Sequence, residues 1–157
     1  VLVVIHSGQT GVERGAHRAA ETVGLGATGF STLDERDELG PLPEAIARAL
    51  TPCHERGSRA AVRANLQIAS ALVVVIPNRN TPDRFTAMRN LIGSARSHGL
   101  PYAVVDPTTD LDDVRHFVEG LTPSSGTVRL MVTGPRATRW AQGERIAWQV
   151  VARMAIA

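Results

Sequence analysis

Lysine is missing from this chain altogether: of its 157 residues seventeen are basic, and all seventeen are arginine. That excludes chemistry needing a primary amine from the protein, from Schiff-base formation to the lysine of a Walker phosphate loop. Cysteine is nearly absent as well. The single Cys53 rules out a disulfide framework, a CxxC redox pair and a cysteine-rich zinc site. The six aromatics (Phe30, Phe85, Tyr102, Phe117, Trp140 and Trp148) are scattered, so the stacking platform of a single-strand nucleic-acid binder is lacking. A net charge of +2 is too small to imply a nucleic-acid partner. No apolar run approaches the length that spans a bilayer, and no membrane association is expected. Val1 opens directly in a strand-like run with no basic leader, and cytoplasm is the expected compartment.

What is present is an alternation of short β-branched runs with helical patterns. Val1 to Ile5 is continuously apolar, the mark of a strand buried on both faces. Val12, Ala16, Ala19, Ala20 and Val23 then lie on one helical stripe that Gly24 and Gly26 end. Further strands are predicted at Ala27–Phe30, Leu72–Ile76, Tyr102–Val105 and Val128–Val132. Helices are predicted at Pro43–Leu50, at Gly57–Ser70, from a Thr81-Pro82-Asp83 cap to Gly99, from Asp110 to Leu121, and at Thr138–Met154. Ser31 to Pro43 reads as a loop, and Pro123-Ser124-Ser125-Gly126 as a turn. Five strands, each followed by helical sequence, imply an α/β fold of three layers with a mostly parallel sheet. No composition break divides the chain, so residues 1–157 are expected to form one domain.

In such sheets the ligand crevice lies beyond the carboxyl ends of the strands. The segment leaving the first strand is His6-Ser7-Gly8-Gln9-Thr10-Gly11, followed at once by helix with Glu13 and Arg14. Two glycines permit a tight turn, the helix start offers free N–H groups, and Arg14 adds a fork-shaped cation. The spacing of Gly8, Gly11 and Gly15 is not the dinucleotide fingerprint. Thr133-Gly134-Pro135-Arg136, leaving the last strand, repeats the pattern, and a parallel sheet brings both turns to one edge. Asn65 either closes a polar network or faces the cleft, and Asn78 and Arg79 stand at the end of the third strand. The charge run Asp34-Glu35-Arg36-Asp37-Glu38 reads as a solvated face. His17, His54, His98 and His116 lack metal-ligand spacing, so no directly bound metal is expected. The last helix carries Trp140, Ala147, Trp148, Val151 and Ala155 on one face with Ile146, Val150 and Met154 beside it. That stripe is broad enough to imply a homo-oligomer, a dimer or tetramer, although a deeply buried helix would explain it too.

On these landmarks the chain resembles the molybdenum cofactor carrier family. That family belongs to a Rossmann-like superfamily that also holds the "lonely guy" phosphoribohydrolases and the DNA-processing protein fold. The family pattern S-G-G-Q-T-G-x-D-R is matched by His6 to Arg14, and D-G-P-I-P by Gly40-Pro41-Leu42-Pro43. Asn65 stands at the family's asparagine before the central strand, and Thr133-Gly134-Pro135-Arg136 at its N-V-A-G-P-R turn. The chain departs from the pattern at Ser31-Thr32-Leu33-Asp34, where relatives have C-P-K-G. It departs again at Pro77-Asn78-Arg79-Asn80-Thr81, where the phosphoribohydrolases carry P-G-G-x-G-T-x-x-E.

The resemblance implies a carrier or binding protein for a phosphorylated small molecule, either a nucleotide or the molybdenum-bearing pterin cofactor. The positions it carries over are Gly8, Gln9, Thr10, Gly11, Arg14, Asn65, Gly134, Pro135 and Arg136, to which Ser7, Asn78 and Arg79 are added as candidate contacts. No bond-making step is assigned. The alternatives are a nucleotide hydrolase with Glu13 or His6 as base, and a scaffold that binds nothing.

Overall fold

The β-branched runs become a five-stranded parallel sheet because each can bury both of its faces under helices. In this computed structural model, which describes residues 1–121 and 126–155, β1 spans Leu2–Ile5, α1 Val12–Val23, β2 Gly26–Thr28 and β3 Phe30–Ser31. There follow β4 (Arg36–Asp37), β5 (Gly40–Pro41), α2 (Glu44–Ala47), β6 (Thr51–Pro52), α3 (Ser58–Ile68) and β7 (Ala71–Val75). A 3₁₀ turn at Pro82–Arg84 leads into α4 (Thr86–Ser97), β8 (Tyr102–Val105), α5 (Leu111–Glu119), β9 (Val128–Thr133) and α6 (Gly143–Met154). Three of the four residues of the turn expected at 123–126 lie outside the described residues.

The main sheet has the order β2-β1-β9-β7-β8, with every pairing parallel. The last strand of the chain therefore sits at the centre. If β9 and α6 preceded β1, the order would become 3-2-1-4-5, that of a doubly wound Rossmann-like sheet. The topological switch point then falls between β9 and β7.

Period-two alternation divides the core. Val4, Val73, Val75 and Val132 face α1, α5 and α6, while Ile5, Leu72, Val74 and Met131 face α3 and α4. All five residues of β7 are buried, as its unbroken apolar run demands.

Four boundaries differ from expectation, each for a local reason. The second strand is interrupted at Gly29 (φ 141°), after which Phe30 and Ser31 leave the main sheet to pair with β6. The loop at 31–43 contains the small antiparallel pair β4–β5. Thr81 makes no side-chain cap, and the extended Phe85 (φ −120°) stops the 3₁₀ turn before α4 starts. Finally, residues 137–142 form turns, with the N–H groups of Arg139 and Trp140 both donating to the Arg136 carbonyl, so α6 begins only at Gly143.

The broad stripe of α6 is consumed within the chain: Ala147, Val150 and Val151 are buried against α1 and the sheet, and Trp148 stays 38% exposed. None of the helices among the described residues is long and apolar enough to cross a membrane.

Candidate functional site

Because β1 and β9 are neighbours, the two glycine turns leave the sheet side by side. They pack directly on one another: the Ala137 N–H donates to the Thr10 side chain (Oγ) at 3.0 Å, and the backbone of Gly11 (φ 80°) lies against the carbonyl of Pro135. Gly8 is roofed by the side chains of Leu42, Ile46 and Leu50, the apolar cluster formed by the segment around α2.

Much of the first turn's bonding capacity is met internally. The Ser7 N–H donates to Glu13 Oε1 at 2.6 Å, and Thr133 Oγ donates to Glu13 Oε2 at 3.0 Å. Burial pushes the Glu13 carboxyl above its ordinary range, against the opposing pull of the Ser7, Thr133 and Gln9 hydrogen bonds. The Gly8 N–H donates to His6 Nδ1 at 2.9 Å. That bond leaves the proton of a neutral imidazole on Nε2, where it is donated to His17 Nδ1 (3.0 Å), and His17 Nε2 in turn meets Glu21 Oε1 (3.0 Å). Burial, with His17 and Arg14 nearby, holds His6 down at about 3, so it is neutral under ordinary conditions. Arg14 bonds the Gly8 carbonyl at 2.8 Å and Asp37 Oδ2 at 2.7 Å.

Asn65, fully buried, closes a polar network. It accepts from the Phe30 N–H (2.7 Å) and donates to Ser7 Oγ (3.0 Å) and the Phe30 carbonyl (3.1 Å), tying α3 to the first turn. Asn65→Ala is expected to strip the part-buried Phe30 N–H and carbonyl of their side-chain partner and Ser7 Oγ of one of its bonds, and to cost about 2–3 kcal/mol. Urea unfolding should show a lowered midpoint with an unchanged slope.

Between these turns and the starts of α3 and α4 lies a cavity of about 300 Å³ at the switch point. Ser7, Gln9, Gly134, Pro135 and Arg136 line it, with Glu13 as the only acid among the described residues. Its outer wall is Arg84, Phe85, Thr86, Met88 and Arg139 together with Ser58, Ala61 and Val62 of α3. The Arg139 guanidinium sits over the Phe85 ring at 5.6 Å. Gly8, Thr10, Gly11, Arg14 and Asn65 support this cavity without lining it. Asn78 and Arg79 lie apart, where the Arg79 N–H donates to Asp106 Oδ2 at 2.8 Å beyond β8.

Arg84 and Arg139 escaped sequence reasoning because each was assigned to a helical run, whereas both stand in the turns that precede α4 and α6. The charge run at 34–38 needs a larger correction. Asp37 and Glu38 are not a solvated face; their side chains are only 3% and 9% exposed, pressed onto the arginines of the two turns. Two arginines beside glycine turns call for counter-charges, and that was the available signal. Among the described residues no three His, Cys, Asp or Glu side chains gather as a metal site.

Comparison with known proteins agrees with this architecture. A model of the circularly permutated YpsA (cpYpsA) SLOG family matches residues 4–155. Among solved structures, the "Putative molybdenum carrier protein" of Syntrophus aciditrophicus matches with a TM-score of 0.80 and 17% identity, over 99% of this chain and 94% of that one. At that identity the likeness is one of fold. No curated protein matches the sequence.

Proposed function

Because the chain belongs to the circularly permutated YpsA SLOG family, we propose that it binds and carries a phosphorylated small molecule, either a nucleotide or a pterin cofactor. One observation carries this reading: three arginines, Arg84, Arg136 and Arg139, stand around a switch-point cavity whose only acid among the described residues is the buried Glu13. Such a cavity favours an anion, and arginine grips phosphate through two parallel hydrogen bonds. The apolar patch of Phe85, Val62 and Met88 suits the flat ring of a heterocycle. The Syntrophus aciditrophicus protein is named a molybdenum carrier, and the same cargo is proposed here. The arginines and the apolar patch would recognise such a cargo through its phosphate and its ring.

With most of the α6 stripe buried inside the chain, the proposed homo-oligomer rests on the part-exposed Trp148 alone, and sedimentation as a monomer at micromolar concentration would remove that part of the reading.

The test is titration with AMP, ADP and a pterin monophosphate, comparing wild type with Arg84→Ala and Arg139→Ala. Each variant is expected to weaken binding about tenfold or more, the worth of one charged hydrogen bond. Unchanged affinity in both would refute the arginine-lined site. Glu13 supports a second reading, a nucleotide hydrolase, since its carboxyl lines the cavity and burial raises its proton affinity. Product formation by the wild type that disappears in Glu13→Gln, with binding retained, would select the hydrolase.

A further inference from the structure

We propose that the Glu38 carboxylate fills a second anion subsite of this protein, and that an anionic group of the ligand takes its place when bound. The inference rests on the anion-binding reading above and extends it to groups outside the cavity. The carboxylate is held as a ligand anion would be. Thr10 Oγ donates to Glu38 Oε1, Thr138 Oγ donates to Oε2 at 3.3 Å, and Arg136 Nε lies 3.5 Å from Oε2. Thr10 comes from the first glycine turn, and Arg136 and Thr138 come from the second. Glu38 thus bridges both glycine turns at the point where they meet.

The strap that delivers it is built to reach inward. Asp37, one residue earlier, pairs with Arg14 at 2.7 Å, and Gln9 Nε2 donates to the Arg36 carbonyl at 3.0 Å. Glu35 is the one non-glycine residue with positive φ (53°) among the described residues, and Gly40 closes the strap at φ 135°. Arg136 joins the two sites, because it lines the cavity while it pairs with Glu38. A phosphate arriving at Arg136 therefore meets a negative charge already in place. Two anions cannot share that arginine without repulsion, so the more highly charged one holds it. The subsite accordingly selects ligands carrying a dianionic or pyrophosphate group over those with a single negative charge.

Inorganic pyrophosphate is a suitable probe. Glu38→Gln keeps the size of the side chain and one of its two acceptor oxygens but removes its charge, and its pyrophosphate affinity is expected to rise about tenfold over wild type. Hydrogen exchange on the wild-type protein gives an independent readout: adding pyrophosphate should speed exchange at the backbone amides of residues 34–40. If both proteins bind pyrophosphate equally, or if the variant binds it more weakly, Glu38 is only a structural clasp. Unchanged or slowed exchange in the strap on binding overturns displacement even where Glu38→Gln does not fold. Absence of pyrophosphate binding by either protein would sink the anion-binding reading itself, and the subsite with it.

Discussion

Gly11→Ala should be among the most damaging single substitutions in this protein, destabilising it by about 3 kcal/mol or more. Two effects add. At φ 80° and ψ −129° Gly11 lies outside the left-handed helical region, in backbone space open essentially to glycine alone, where an L-residue costs about 1–3 kcal/mol. A Cβ would also stand 2.6 Å from the Pro135 carbonyl oxygen and 2.8 Å from the Ala137 nitrogen, both rigid backbone atoms of the neighbouring turn. Gly24 supplies the control. Its φ of 79° is nearly the same, but its ψ of 24° places it in the milder left-handed helical region, and nothing lies within 4 Å of its missing Cβ. Gly24→Ala should therefore cost only the conformational part. Urea denaturation of both variants compares the packed turn with an open left-handed glycine, and equal losses would show that neither the turn-on-turn contact nor the glycine-only backbone of Gly11 adds to the cost. The same contact aligns Thr10, Arg136 and Arg139, so Gly11→Ala is expected to weaken ligand binding even where it still folds.

The crowding at Gly11 also explains how far the sequence could be read. That two glycine turns share one sheet edge follows from parallel strands alone, because every such strand ends on the same side. That they touch does not follow. It requires β9 to insert between β1 and β7, and no local pattern in Val128–Thr133 distinguishes a central strand from an edge one. The same gap hid what glycine does here. On the sequence, Gly8 and Gly11 read as openings for a ligand, but in the fold Leu42, Ile46 and Leu50 roof one, and the second turn backs the other. Asn65 was legible as a polar residue that must either bond or face the cleft, and long-range contacts decided the choice. Arg84 and Arg139 were not legible. Their position depends on where a turn ends and a helix begins, a boundary set by Phe85 in one case and by the Arg136 carbonyl in the other.

A second large effect is expected from pH, and it comes from His6. Its folded-state value of about 3 lies below the ordinary 6.5, so between those values the unfolded chain binds a proton that the folded chain refuses. Stability tied to this group is complete above pH 6.5 and is lost as the pH falls toward 3. At pH 5 the loss amounts to about 2 kcal/mol, a large fraction of the margin of a small domain. Glu13 works with the opposite sign. Its raised value means that protonation is favoured by folding, and the stability from it is lost as the pH rises through that value. The diagnostic is therefore the difference between wild type and His6→Gln. Urea unfolding at intervals from pH 5 to 7.5 should show a steeper decline in the wild type, by about 1.4 kcal/mol per pH unit at its limit, corresponding to one proton. The variant is expected to be less stable at pH 7.5, because the bonds to the Gly8 N–H and to His17 are disturbed, yet to lose less on acidification. Parallel profiles would mean that His6 takes up its proton without unfolding.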